Sequence, residues 1–187
     1  MLTFEDETMT IQDILSVLKI HNYTIVGNNY NISISLAESN LNSNIAGNLF
    51  LFYPKGDLTR KPEIELPKGK IEDIYNHAEK FDTFKLCELM KFIYKNVPES
   101  RMYSQPLVYV CFSVLHEIGH ALYLDKMLTP DEYILIDSRE KQLLEERKNV
   151  MDEKELFYEY RKCTCEIEAD KFAFEFLVDV LKELEKN

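Results

Sequence analysis

The stretch Leu107–Asp125, reading LVYVCFSVLHEIGHALYLD, constrains the fold of this chain more than any other. Leu107, Cys111, Val114, Ile118 and Leu122 recur at helical spacing, which predicts a helix. Ser104 stands where an N-cap would, and Pro106 is tolerated in a first turn. The apolar stripe is expected to face away from His116 and His120. Those two residues are four apart, so their rings project from one helix face. Two imidazoles so placed can grip one metal ion, with the Glu117 carboxylate beside its open side. Gly119 costs about 1 kcal/mol relative to alanine inside a helix, and it lets another backbone or a substrate come close. The competing reading is a core helix whose histidines are satisfied by hydrogen bonds. The chain has only four histidines, and two of them at this spacing around a glutamate favour the metal.

A catalytic zinc usually takes three protein ligands and leaves one position open. His21 suits the C-terminal end of a helix, where the dipole favours it, and His77 is expected at the surface or its boundary. The segment Cys163–Ala173, CTCEIEADKFA, offers more. Glu166 and Asp170 are four apart and share a helix face. Ala169 and Ala173 also share a face, and their small side chains would let this helix pack closely on the first. A glutamate can reach a metal, and an aspartate can hold a ligand imidazole by its other ring nitrogen. Glu168 competes for the ligand role, but it lies about 200° around the helix from Glu166, so only one of them faces the metal. Cys163 and Cys165 could ligate as thiolates, yet they read better as small hydrophobes beside a packed helix. Cys87 and Cys111 read as core.

His116-Glu117-Ile118-Gly119-His120 followed by Glu166-x-Glu168-Ala169-Asp170-x-Phe172-Ala173 resembles the glutamate-liganded zincins, and most of all the ImmA/IrrE family of zinc peptidases. The resemblance covers two short segments. It implies that His116, His120 and Glu166 bind zinc, that Glu117 is the catalytic glutamate, and that Asp170 hydrogen-bonds His116. It also implies a small sheet ahead of the metal helix. The chain departs from the family pattern in two ways. The separation from His120 to Glu166, 166 − 120 = 46 residues, is long, and no leucine-proline pair closes the second segment. Residues 126–162 therefore read as an insertion, expected as a helical hairpin over the cleft.

The chemistry so implied is zinc-dependent hydrolysis of a peptide bond in a protein or peptide substrate, with a transcriptional repressor as one such substrate. Glu117 would take a proton from the attacking water and pass it to the leaving amine. A second function stays open: a zinc-containing regulator without proteolytic activity that binds a repressor or antitoxin. The net charge of −11 argues against direct nucleic-acid binding. No run is apolar for long enough to be expected to span a membrane. Acidic residues follow Met1 where a secretory signal would carry positive charge, and four cysteines are few for a disulfide scaffold. The expected location is the cytoplasm.

The rest of the chain predicts an α+β, zincin-like domain over residues 1–187. A helix and a small antiparallel sheet fill residues 1–66, and residues 67–187 are mainly helical. Thr10 and Asp13 form a capping box for a first helix. Strands are expected at 23–26 and 30–36 around a Gly27-Asn28-Asn29 turn, then at 48–53 and 63–66. Prolines at both ends suggest that the last is an edge strand, able to pair with substrate. Helices follow from Lys70 and from Asp82, the second with Phe84, Leu86, Leu89, Phe92 and Ile93 inward. Another begins at Thr129-Pro130, and one long helix is expected from about Asp152 to Lys186. Residues 139–149 read as a solvated face or hinge.

Overall fold

The computed structural model describes residues 8–38, 50–55 and 61–186. Most of the expected loop over residues 37–48 and part of the turn at 54–62 lie outside them. Helix α1 (Ile11–Val17) starts where Asp13 accepts hydrogen bonds from the Thr10 amide and hydroxyl, both 2.7 Å. Ile11, Ile14 and Leu15 of α1 are buried.

Four strands follow: β1 (Thr24–Val26), β2 (Asn31–Glu38), β3 (Leu51–Tyr53) and β4 (Glu63–Lys68). Their order is β1-β2-β4-β3. The β1–β2 and β3–β4 pairs are antiparallel, but β2 and β4 run parallel, with Ile34 opposite Ile64 and Leu36 opposite Leu66. The sheet is therefore mixed, and β4 is an inner strand. Alternation in sequence tells which residues face the core, here Ile32, Ile34, Ile64 and Leu66. It carries no information on pairing direction. Pro67 lies within the ladder opposite Ala37, and the pairing runs on to Glu38 and Lys68.

Helices α2 (Ile71–Phe81) and α3 (Thr83–Asn96) meet at Asp82, whose side chain caps α3 by accepting from the Lys85 amide at 2.8 Å. Leu86, Leu89 and Ile93 point inward, whereas Phe84 is 40% exposed and Cys87 is also exposed. Both sit on the outer side of α3, so their placement in the core is corrected.

The central element is α4 (Gln105–Met127), packed chiefly on α7 (Thr164–Leu184). Ser104 holds the N-cap position, but its side chain makes no cap hydrogen bond, and its buried hydroxyl has no partner among the described residues. The helix is buried almost all round, with His116 and His120 as enclosed as the apolar stripe. By length and composition it is apolar enough to cross a membrane, and 83% of that apolar window is buried inside the protein. Sheet, α2, α3 and α7 surround it and share one apolar core. Gly119 permits the α4–α7 contact: a Cβ there would meet Ala169 Cα and O at 2.8 Å.

The C-terminal end of α4 is tied to the β1–β2 turn. The Asp125 carboxylate accepts from the amides of Asn28, Asn29 and Tyr30, each at 2.7 Å. A Cβ on Gly27 would strike that carboxylate at 2.5 Å. Burial opposes the charge on Asp125, yet the three N–H groups outweigh it and hold the pKa below the usual value.

The segment between α4 and α7 is helical: α5 (Pro130–Arg147), opened by a Thr129–Glu132 capping box, then α6 (Glu153–Tyr160). The single helix expected from Asp152 to Lys186 is broken at residues 161–163, and Cys163 becomes the N-cap of α7. Helical periodicity continues through the break, and no glycine or proline announces it.

Candidate metal centre

Helix α4 delivers His116 and His120 one turn apart, and the first turns of α7 deliver Glu166 and Asp170. Nε2 of His116 lies 3.0 Å from Nε2 of His120. Glu166 Oε2 is 3.2 Å from His116 Nε2, and Oε1 is 3.6 Å from His120 Nε2. All three residues are buried, and their ligand atoms lie within 4.8 Å of one another. Glu166 is therefore the glutamate that faces the histidines. Glu168 turns outward and pairs with Lys171.

Each outer ring nitrogen faces a side-chain oxygen. Asp170 Oδ1 lies 2.9 Å from His116 Nδ1 and also 2.9 Å from Arg161 Nη1. Tyr133, from α5, puts its hydroxyl 2.7 Å from His120 Nδ1. The Tyr160 hydroxyl donates to Glu166 Oε1 at 2.6 Å. Phe52 stacks on the His120 ring and Phe112 on that of His116, with centroids 6.1 Å and 5.8 Å apart. Such outer partners fix ring orientation and tautomer.

The donor set suits a cation. A proton on His116 Nδ1, facing Asp170, leaves the Nε2 lone pair pointing inward. A proton on His120 Nδ1, facing Tyr133, does the same for the second ring. Glu166 Oε2 is buried and takes no hydrogen bond. In these tautomers three acceptors converge with no proton between them, and a metal ion satisfies all three. Two imidazoles and one carboxylate are a donor set that zinc accepts.

Electrostatics without the ion follow from the same contacts. Burial opposes a charge on His116, but the Asp170 and Glu166 carboxylates prevail and raise its pKa to about 9. Burial, helped by its neighbour His116, drives His120 down to about 3. Burial also opposes ionisation of Glu166, yet His116, His120 and Arg161 hold its pKa well below the ordinary range. Glu117 is half-buried beside this group, and burial lifts its pKa to about 7, where a carboxylate exchanges protons readily.

The group opens onto a cavity of about 500 Å³ lined by Glu117, Tyr160, Arg161 and, from α2, His77. His77 is 8% exposed and belongs to the cleft wall, not the surface. It sits on the inward side of α2, and one isolated histidine gives no periodic signal of that. His21 is exposed, and the metal-binding group does not include it. Cys163 and Cys165 are buried with free thiols, and the metal-binding group contains neither.

The sequence does not choose among Tyr123, Tyr133, Tyr158 and Tyr160, and it gives no sign of Arg161. The structure separates the four tyrosines by what they touch. Tyr133 contacts His120 and Tyr160 contacts Glu166, whereas Tyr158 bonds Glu88 and Tyr123 packs against Tyr133. The break before α7 brings Tyr160 and Arg161 back onto its first turn, so helical spacing gave no clue. The segment 126–162 thus supplies partners to His120, Glu166 and Asp170.

No family model matches the chain, and neither a curated protein nor a solved structure matches it. Fold and site together define an α+β protein with a buried His-His-Glu group that could hold a metal ion.

Proposed function

We propose that this chain is a zinc-dependent metallopeptidase that cuts a specific protein, with a transcriptional regulator as the candidate substrate. The observation that carries the reading is the convergence of His116, His120 and Glu166 with Glu117 at the edge of the same cleft. The resemblance of both segments to the ImmA/IrrE zinc peptidases supports it. So does the Asp170–His116 contact, which that resemblance implies.

His116, His120 and Glu166 would hold the zinc, which supplies Lewis acidity when bound. Glu117 Oε accepts the proton of the attacking water and returns it to the amine nitrogen as the peptide bond breaks. Asp170 keeps the His116 proton on Nδ1, and Tyr133 orients His120. Arg161 balances the Asp170 and Glu166 carboxylates. Its guanidinium lies over the Phe92 and Phe157 rings, which shield it from water.

The test is an incubation of zinc-loaded protein with candidate regulators, followed by intact mass. Cleavage at few sites, absent in Glu117→Gln, supports the peptidase. A stable complex with both masses unchanged would refute it and point to a binding protein.

A further inference from the structure

The cleft wall carries a histidine that the reaction above does not use. His77 is 8% exposed, lines the cavity shared with Glu117, and takes no hydrogen bond among the described residues. Its ring tilts against Phe81 at 4.4 Å between centroids, which fixes the imidazole on the cleft side of α2. Its ring nitrogens are not among the buried side-chain atoms left without a partner, so they reach the solvent of the cleft. An imidazole in that position is available to a ligand that enters the cavity.

The surroundings indicate the partner's chemistry. Ala78 and Phe81 flank His77 on α2, Leu86 and Leu89 extend the wall on α3, and Phe112 lies opposite on α4. A sphere of about 500 Å³ is about 10 Å across, close to the span of three extended residues at roughly 3.3 Å each. A chain crossing this space from Glu117 brings an apolar side chain against Phe81, Leu86 and Leu89, and its peptide groups past His77.

We infer that His77 is a substrate-contacting residue: its ring N–H donates to a main-chain carbonyl of a peptide lying across the cleft, beside an apolar subsite. The inference rests on the peptidase reading and adds the residue and the class of side chain that select the substrate.

The test uses two chelating probes on the zinc-loaded full chain. Acetohydroxamate engages the metal alone; a dipeptide hydroxamate with leucine and phenylalanine side chains also fills the cleft. Calorimetry gives the Kd of each for the parent chain, His77→Ala and His77→Gln, with zinc content and melting temperature measured alongside. Loss of one hydrogen bond predicts that His77→Ala weakens the dipeptide probe about tenfold. Acetohydroxamate should bind all three alike, and His77→Gln, whose amide can donate, should recover part of the loss. In nitrogen-15 spectra the His77 ring signals should shift with the dipeptide probe and stay put with acetohydroxamate. Equal dipeptide affinity in parent and His77→Ala overturns the inference and leaves the metal reading standing. Failure of acetohydroxamate to bind the parent chain overturns the metal reading itself, and the inference with it. A drop in melting temperature with unchanged dipeptide affinity marks His77 as a packing residue and also overturns it.

Discussion

Gly119→Ala tests whether close approach of two helices sets the metal site. The new Cβ would stand 2.8 Å from Ala169 Cα and O, and 3.1 Å from Phe172 Cβ. Ordinary contact begins at 3.4 Å, so α7 must retreat by about 3.4 − 2.8 = 0.6 Å. The opposing atoms are backbone and cannot swing aside. Alanine favours the helix by about 1 kcal/mol over glycine, and overpacking costs about 1–3 kcal/mol, so global stability should fall by at most about 2 kcal/mol. Metal binding should suffer more. Glu166 lies one turn before Ala169 and retreats with α7, whereas ligand distances tolerate only about 0.2 Å. A loss of about 10–100-fold in zinc affinity is expected, comparable to removing an outer partner of a ligand. Competition against a chromogenic chelator gives the affinity, and urea unfolding of the same sample gives the stability. Unchanged zinc affinity in a variant at least as stable as the parent would refute the reasoning.

Three further outcomes are expected. Alanine at His116, His120 or Glu166 should abolish stoichiometric zinc, while Glu168→Ala keeps it; metal analysis after dialysis decides, and the reverse result for the two glutamates would sink the ligand assignment. Glu117→Gln should retain zinc and its melting temperature but lose hydrolysis, since an amide cannot accept the proton; undiminished turnover on a cleaved substrate would end the general-base role. Asp125→Ala should cost about 3 kcal/mol, taking about 1 for each of three charge-assisted hydrogen bonds that water at the exposed Asn28 and Asn29 can partly replace. The Asp125 pKa is depressed in the fold, so its stabilisation is present above the unfolded value of about 3.9 and disappears as pH falls through the folded value. Urea melts of parent and variant should therefore differ at pH 7 and converge in acid; a constant difference down to pH 2 would contradict this.

Much of the site was legible because it is written in helical periodicity. His116 and His120, and Glu166 and Asp170, are pairs at a spacing of four, and the same rule that places each pair on one face brings the two faces together. The α5 start was readable too, because Thr129, Pro130 and Glu132 carry local capping chemistry. What failed was whatever depends on tertiary assembly. The parallel pairing of β2 with β4 leaves no mark on alternation, and the flanking Pro62 and Pro67 suggested an edge position that β4 does not hold. The break at residues 161–163 interrupts a sequence that stays helix-favouring throughout, and with it went Tyr160 and Arg161. His77 and Tyr133 are single residues whose roles come from the elements that face them.

The burial of α4 has a consequence for how the protein would come apart. Amides in its middle can exchange with solvent only when the surrounding sheet and helices separate, so they should report the global opening free energy. Helix α5 buries only Tyr133 and α6 only Phe157, so their amides should exchange through local opening at far lower cost. The two histidines thus sit in a layer expected to open only globally, while Tyr133, Tyr160 and Arg161 sit in an arm expected to open locally. Uncovering the metal group then requires only detachment of the α5–α6 arm, with the core around α4 still closed.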